Sequence, residues 1–175
     1  QTEFSLHALA VEDASHGHQR PKIEEYGTCL FAVVHIVEWV DGRLHVGEIN
    51  IFVEKDYVLS IRNRSEKSFL SVRARCENEP HLLKQGPAFV FYALMDAVVD
   101  RYFPIVDTLE SELEAIEEQI FIKGSERSNI ERLYQLKRQA IVLKHAIAPL
   151  MEAVAKLYGA RAPAICLGTQ EYFRD

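Results

Sequence analysis

The chain of 175 residues carries 20 Lys and Arg against 26 Asp and Glu, a formal net charge of −6, which argues against a nucleic-acid partner because such proteins present a basic surface. Its hydrophobic content of 48% is that of an ordinary globular protein, and its three cysteines match no zinc-site spacing, so reduced thiols are expected. The apolar runs, such as CLFAVV at 29–34, are far shorter than the ~20 residues that cross a bilayer, and no signal peptide is recognisable.

The stretch VEDASHGHQRPKIEEY (11–26) opens with two adjacent acids, Glu12 and Asp13, and continues through two histidines. Adjacent carboxylates suit a hard cation such as Mg²⁺, which keeps several waters and needs only one or two direct carboxylate ligands. The alternative is a solvated acidic pair. His16 and His18 define no helical i, i+4 pair, so a transition-metal site is the less favoured interpretation.

Residues 28–62 predict a three-stranded antiparallel meander. TCLFAVVHIVEWV (28–40) is rich in β-branched and aromatic residues, and the Asp41-Gly42 turn after it is a strong hairpin signal. LHVGEINIFV (44–53) and YVLSIR (57–62) complete the meander. Alternation in the middle strand predicts that one of its faces is apolar. The apolar set is Ile49, Ile51 and Val53, alternating with Glu48, Asn50 and Phe52.

The rest of the chain is predicted to be helical. A short helix in SFLSVRARCEN (68–78) should stop before Pro80. From Pro87 an apolar seam in steps of four and three residues predicts one long helix to Ile120, which Pro104 should kink.

A second long helix should follow the polar break KGSERSN (123–129). Ser128 and Glu131 form a capping box that predicts its start, Pro149 should interrupt it, and Gly159 should end it. Because the connection is short, the two long helices should form an antiparallel hairpin. The first of these helices is acidic and the second is basic. Exposed ion pairs stabilise a protein only slightly, so the opposite charges should determine how the helices pair and in which register, and should add little stability.

Asp96 and Asp100 lie one helical turn apart in the apolar stretch FYALMDAVVDRYF (91–103). Carboxylates embedded in an apolar helix need partners when they are buried, so they should face an interface, an Arg or Lys, or a cation. His35, inside a predicted strand, should be packed or hydrogen-bonded. No nucleophile, base and orienting group can be assembled from these residues, so the sequence does not support an enzyme.

An ordered set of motifs resembles the CorA-type magnesium transporters. It comprises HQRPKIEEY (18–26) followed by CLFAVVHIV (29–37), YALMDAVVDRYFPIVDTLESELEAIEEQIF (92–121), LYQLKRQAIVLKHAIAPLMEAVAKL (133–157) and YFRD (172–175). The order holds over nearly the whole chain. HQRPK favours the Mg²⁺/Co²⁺ branch of the family over the zinc-transporting branch.

The resemblance implies an α+β fold with α/β/α-type layers, in which an antiparallel meander with flanking helices precedes the helical hairpin. The implied parts are a partial α/β domain at 1–85, the long helix pair at 86–160 and the start of a truncated stalk helix at 161–175. Family members are homopentameric channels on the inner membrane. This chain resembles their cytoplasmic domain without the membrane segments or the pore motif Gly-Met-Asn.

The resemblance also implies a function and a site. The cytoplasmic domain of the family senses Mg²⁺ through carboxylates that bridge neighbouring subunits and gate the pore, with Co²⁺ or Zn²⁺ as alternative ions. The matching residues here are Glu12, Asp13, Asp96 and Asp175. Two alternatives remain: the cytoplasmic domain of a zinc transporter of the same family, and a coiled-coil interaction module that needs no metal.

Overall fold

The computed structural model describes residues 4, 6–122 and 126–174. In these residues the strands are β1 (Lys22–Tyr26), β2 (Cys29–Val40), β3 (Arg43–Val53) and β4 (Val58–Asn63). The α-helices are α1 (Ala8–His16), α2 (Leu70–Asn78), α3 (Pro80–Leu83), α4 (Pro87–Val99), α5 (Phe103–Gln119) and α6 (Glu126–Tyr158). Two short 3₁₀ helices follow, Ala164–Cys166 and Gln170–Phe173.

The four strands form one antiparallel sheet in the order β1-β2-β3-β4, which confirms the predicted meander and adds a strand to it. Strand β1 is not predicted from the sequence, because its segment KIEEY is short and mostly charged. Such a strand has little apolar pattern of its own, and charged residues are typical of a sheet edge. It forms because Gly27, at φ 65°, closes a tight turn that lays the strand against the apolar run of β2.

Both faces of the sheet are buried. The apolar face predicted for β3, with Ile49, Ile51 and Val53, is confirmed, and the face that carries Phe52 is buried as well. One face joins α4, α5 and α6 in the main hydrophobic cluster. On the other face Phe31, Val33 and Phe52 form a second cluster, which Ala10 and Ala14 of α1 cover. Helices on both sides of the sheet give the predicted α/β/α layering. The main cluster also crosses the predicted boundary at residues 85 and 86, and that division of the chain remains a prediction.

The predicted kink at Pro104 is a complete break between α4 and α5. Pro104 lies in the first turn of α5, where its missing N–H has no helical partner to lose. The Tyr102 hydroxyl donates to the carbonyl oxygen of His35 on β2 at 2.6 Å and holds this break against the sheet.

Two predictions about the second long helix are wrong. Ser128 lies inside α6, which includes Glu126, so it does not cap the helix. Pro149 does not interrupt α6, because the packing of Ala146, Leu150 and Leu157 in the core offsets the hydrogen bond that a proline removes. The predicted end before Gly159 is confirmed.

The helices α5 and α6 pack as the predicted antiparallel hairpin and line an open apolar groove of about 580 Å³ between them. At the turn of the hairpin, the side-chain amide of Asn129 donates to the Gln119 carbonyl and Arg132 donates to the Gln119 side chain, both at 3.0 Å. Among the described residues no ion pair links α5 to α6. That charge guides the register of the hairpin therefore remains a prediction.

All three thiols are free and buried, which gives a direct test of the packing. Burial raises the pKa of the Cys29 thiol to about 11 and that of Cys166 to about 12. We expect no reaction of the folded protein with a thiol reagent such as DTNB at neutral pH, and reaction of Cys29, Cys76 and Cys166 after denaturation. Rapid labelling of any of them in the native state would contradict this packing.

Candidate functional site

The predicted acidic pair lies on α1, which covers one face of the sheet. Glu12 is exposed and Asp13 is half-buried. The Asp13 carboxylate accepts a hydrogen bond from the Lys22 ammonium at 2.7 Å, and the same ammonium lies 2.8 Å from the Glu24 carboxylate. Burial opposes the charge on Lys22, but its hydrogen bonds to Asp13 and Glu24 outweigh burial and raise the pKa of the ammonium. In return, the hydrogen bond from Lys22 lowers the pKa of Glu24.

A buried polar group at the C-terminal end of α1 fixes the position of the helix. The Asn63 side chain donates to the Ala14 carbonyl at 2.9 Å and to the Glu48 carboxylate at 3.2 Å. Glu48 is only 4% exposed and also accepts from the backbone N–H of Gln19 at 3.3 Å. These bonds attach the C-terminal end of α1 to β3 and β4. The position of Glu12 and Asp13 relative to the sheet is therefore fixed.

The histidines of this region have structural contacts. His35 donates from Nε2 to the Gln19 carbonyl at 2.9 Å, which confirms its predicted hydrogen-bonded role. His16 bonds to the Glu12 carbonyl at 2.9 Å, and His18 contacts Arg64. Within the described residues, no group of three or more His, Cys, Asp or Glu side chains is placed to hold a metal ion.

Asp96 lies on α4 and has a cationic partner. Its carboxylate accepts from the Arg75 guanidinium at 2.5 Å, and Arg75 also lies 3.9 Å from Glu79. The sequence left an interface, an Arg or Lys, or a cation as possible partners of Asp96, and within the chain the partner is an arginine. Arg101, in contrast, donates to the Ser68 carbonyl at 2.7 Å and stacks on the Phe69 ring at 4.0 Å.

The predicted ligands that the structure describes do not converge within one chain. The acidic pair lies on α1, which covers the second cluster, whereas α4 packs on the opposite face of the sheet. Asp175 lies outside the described residues. The donors are carboxylate oxygens, the kind that Mg²⁺ prefers, so their chemistry fits the ion. Each half nevertheless needs further ligands, because Asp13 and Asp96 each share their carboxylate with a basic side chain.

An aromatic cluster that was not predicted from the sequence positions residues 172 and 173 against α4. The Phe173 ring packs against Phe91 and Tyr92 at centroid distances of 5.5 and 5.8 Å, and Tyr172 packs on Tyr92 at 5.3 Å. Phe173 therefore contacts α4 at Tyr92, which lies one helical turn before Asp96. The signal in the sequence was the aromatic run FVFY (89–92) with the later pair YF (172–173). The predicted stalk helix is a 3₁₀ helix over Gln170–Phe173, and its continuation remains a prediction.

Known proteins share both sequence and fold with this chain. The family described as CorA-like Mg²⁺ transporter protein matches residues 1–175. The cobalt/magnesium transport protein CorA of Thermotoga maritima is 32% identical over 176 residues, covering 98% of this chain and 50% of the relative. The chain spans about half the length of the curated relatives it matches. None of its described helices is both long enough and apolar enough to span a membrane.

Two solved structures have the same fold. The soluble domain of CorA from Methanocaldococcus jannaschii superposes with a TM-score of 0.75 at 18% identity, over 94% of this chain and 67% of that one. The cytoplasmic domain of ZntB from Vibrio parahaemolyticus superposes with a TM-score of 0.72 at 12% identity, over 99% of this chain and 68% of that one. These likenesses agree with the α+β fold and the helical hairpin predicted from the sequence.

Proposed function

Since this chain belongs to the CorA-like Mg²⁺ transporter family, we propose that it is the cytoplasmic, Mg²⁺-sensing part of a homopentameric Mg²⁺/Co²⁺ channel of the inner membrane. In this role it regulates transport and catalyses no reaction. The observation that carries the proposal is the placement of the acids: Asp13 and Asp96 lie on opposite faces of one sheet, each half-buried near a basic side chain.

Two half-sites on opposite faces of a subunit suit a ring, because each face meets a different neighbour. Glu12 and Asp13 of one subunit would share Mg²⁺ with Asp96 and Asp175 of the next. Ion-bridged carboxylates hold adjacent subunits together, whereas the same acids repel each other when the ion leaves. A fall in Mg²⁺ would therefore favour separated subunits and an open pore, which is an equilibrium between two states that the ligand biases.

The test is the response of the 175-residue chain to millimolar MgCl₂ at constant ionic strength. We expect Mg²⁺ at tenfold above its dissociation constant to raise the melting temperature by about 3–6 °C and to promote assembly in sedimentation velocity. Asp13→Asn should remove most of both effects, since a neutral amide is a poor ligand for Mg²⁺.

The matched control is Glu77→Gln, which removes a carboxylate from an exposed ion pair with Arg73 at 2.8 Å. This variant should respond to Mg²⁺ like the wild type. A wild-type chain that does not respond, or an Asp13→Asn variant that responds equally, would contradict the sensor role.

In the coding sequence beyond Asp175, we expect a long helix and two apolar runs of ~20 residues with Gly-Met-Asn after the first.

Two alternatives have observations of their own. The fold shared with the ZntB domain supports a zinc-transporting relative, in which case Zn²⁺ would replace Mg²⁺ as the transported ion. The apolar groove of the helical hairpin, where Met151 is 68% exposed, supports a metal-independent interaction module. Assembly that is unaffected by divalent ions would favour the second alternative.

A further inference from the structure

We propose that Lys22 and Arg75 are tethered competitors of the divalent ion, and that together they set the concentration at which the ion clamps neighbouring subunits. The inference rests on the proposed sensor function, and it assigns a role to two basic residues that are not among the predicted ligands. Each of them occupies a carboxylate that the ion would need.

Lys22 is held beside Asp13 by a second acid. Its ammonium lies 2.7 Å from Asp13 and 2.8 Å from Glu24, and the Tyr26 hydroxyl orients the Glu24 carboxylate from 2.8 Å. The ammonium also lies over the Phe31 ring, 6.0 Å from its centroid. Glu24 can retain the ammonium when Mg²⁺ takes Asp13. When Mg²⁺ displaces the Lys22 ammonium from Asp13, the ammonium therefore keeps its ion pair with Glu24 and is not left unpaired.

Arg75 repeats this arrangement on the other face of the sheet. Its guanidinium contacts Asp96 at 2.5 Å, while Glu79 lies one turn away on the same side at 3.9 Å. The cation can move toward Glu79 when the ion takes Asp96. In both places a basic side chain lies between a predicted ligand and a second acid that is not a predicted ligand. The two half-sites therefore have the same arrangement.

Competition of this kind weakens the binding of the ion without abolishing it. A carboxylate oxygen that accepts an N–H bond is not free for the short, strictly octahedral coordination of Mg²⁺. The positive charge beside it also repels the dication. These pairs are partly exposed, so each should weaken binding about three- to tenfold and shift the response toward higher ion concentrations.

The test measures the MgCl₂ concentration at half-maximal thermal shift at constant ionic strength. Lys22→Met removes the charge and keeps most of the length of the side chain, and Arg75→Gln removes the charge of the second pair with a shorter, polar side chain. We expect each to lower the midpoint about three- to tenfold, and Lys22→Arg to leave it within about twofold of the wild type. The control is Arg73→Gln, which removes a charge from the same helix as Arg75 but contacts no predicted ligand.

The outcomes separate this inference from the function on which it rests. Lower melting temperatures with an unchanged Mg²⁺ midpoint would show that Lys22 and Arg75 are only structural and would overturn the inference. An equal shift in Arg73→Gln would also overturn it, because net charge alone would then explain the change. A wild-type chain without any Mg²⁺ response overturns both proposals. A lowered midpoint in Lys22→Met, together with loss of most of the thermal shift when Asp13→Asn is added, supports both.

Discussion

Replacement of Phe52 by alanine is expected to lower the free energy of unfolding by about 3–5 kcal/mol, since it leaves a large cavity in a core that cannot fully collapse. The Phe52 side chain is fully buried, and its ring lies 4.8 Å from that of Phe31. It belongs to the smaller of the two clusters, where Ala10 and Ala14 are the buried contacts of α1. Loss of the ring should therefore also loosen the helix that carries Glu12 and Asp13.

Urea denaturation followed by circular dichroism measures the change, with Phe121→Ala as the matched control. Phe121 is 93% exposed, so the same substitution there should change the free energy of unfolding by less than about 0.5 kcal/mol. Limited proteolysis should cleave within α1 sooner in Phe52→Ala than in the wild type. Equal stability losses in the two variants would show that the face of the sheet under α1 is not a real core.

The sequence predicts the fold wherever the pattern is local. The long apolar run of β2 and the Asp-Gly turn after it determine the central hairpin, and the seams in steps of three and four determine the helices. Alternation places Phe52 with Glu48 and Asn50 on the other face of β3, and it shows only that two faces differ. It cannot show that α1 will cover the second face as well, since that depends on contacts between residues far apart in the chain.

For the candidate site, too, the sequence shows the local features and not the contacts between distant residues. Acidic residues in unusual surroundings are visible in a sequence, and Glu12, Asp13 and Asp96 were identified in that way. Their partners were not visible, because Lys22 lies on a different element from Asp13, and Arg75 lies 21 residues from Asp96. That Asp13 and Asp96, the two proposed half-sites, lie on opposite sides of the sheet is a property of the packed layers. No spacing along the chain encodes it.

Replacement of Gly47 by alanine should cost about 3 kcal/mol of stability, although a single methyl group is added. A Cβ atom at this position would lie 2.5 Å from the backbone oxygen of Arg64 and 3.0 Å from that of Asn63. Backbone atoms cannot rotate away as a side chain can, so the end of β4 must move. Asn63 holds both the Ala14 carbonyl and Glu48, and its displacement should release the C-terminal end of α1.

Gly42→Ala separates this contact from the usual cost of replacing a glycine. Gly42 has a φ of 73° at the turn between β2 and β3, and a Cβ atom there would meet nothing within 4 Å. It should therefore lose only about 1 kcal/mol from backbone strain, whereas Gly47 has no positive φ and loses stability through the contact alone. If denaturation shows Gly47→Ala to be no less stable than Gly42→Ala, the backbone of Arg64 does not lie against β3. The proposed attachment of α1, with Glu12 and Asp13, to the sheet through Asn63 would then be wrong.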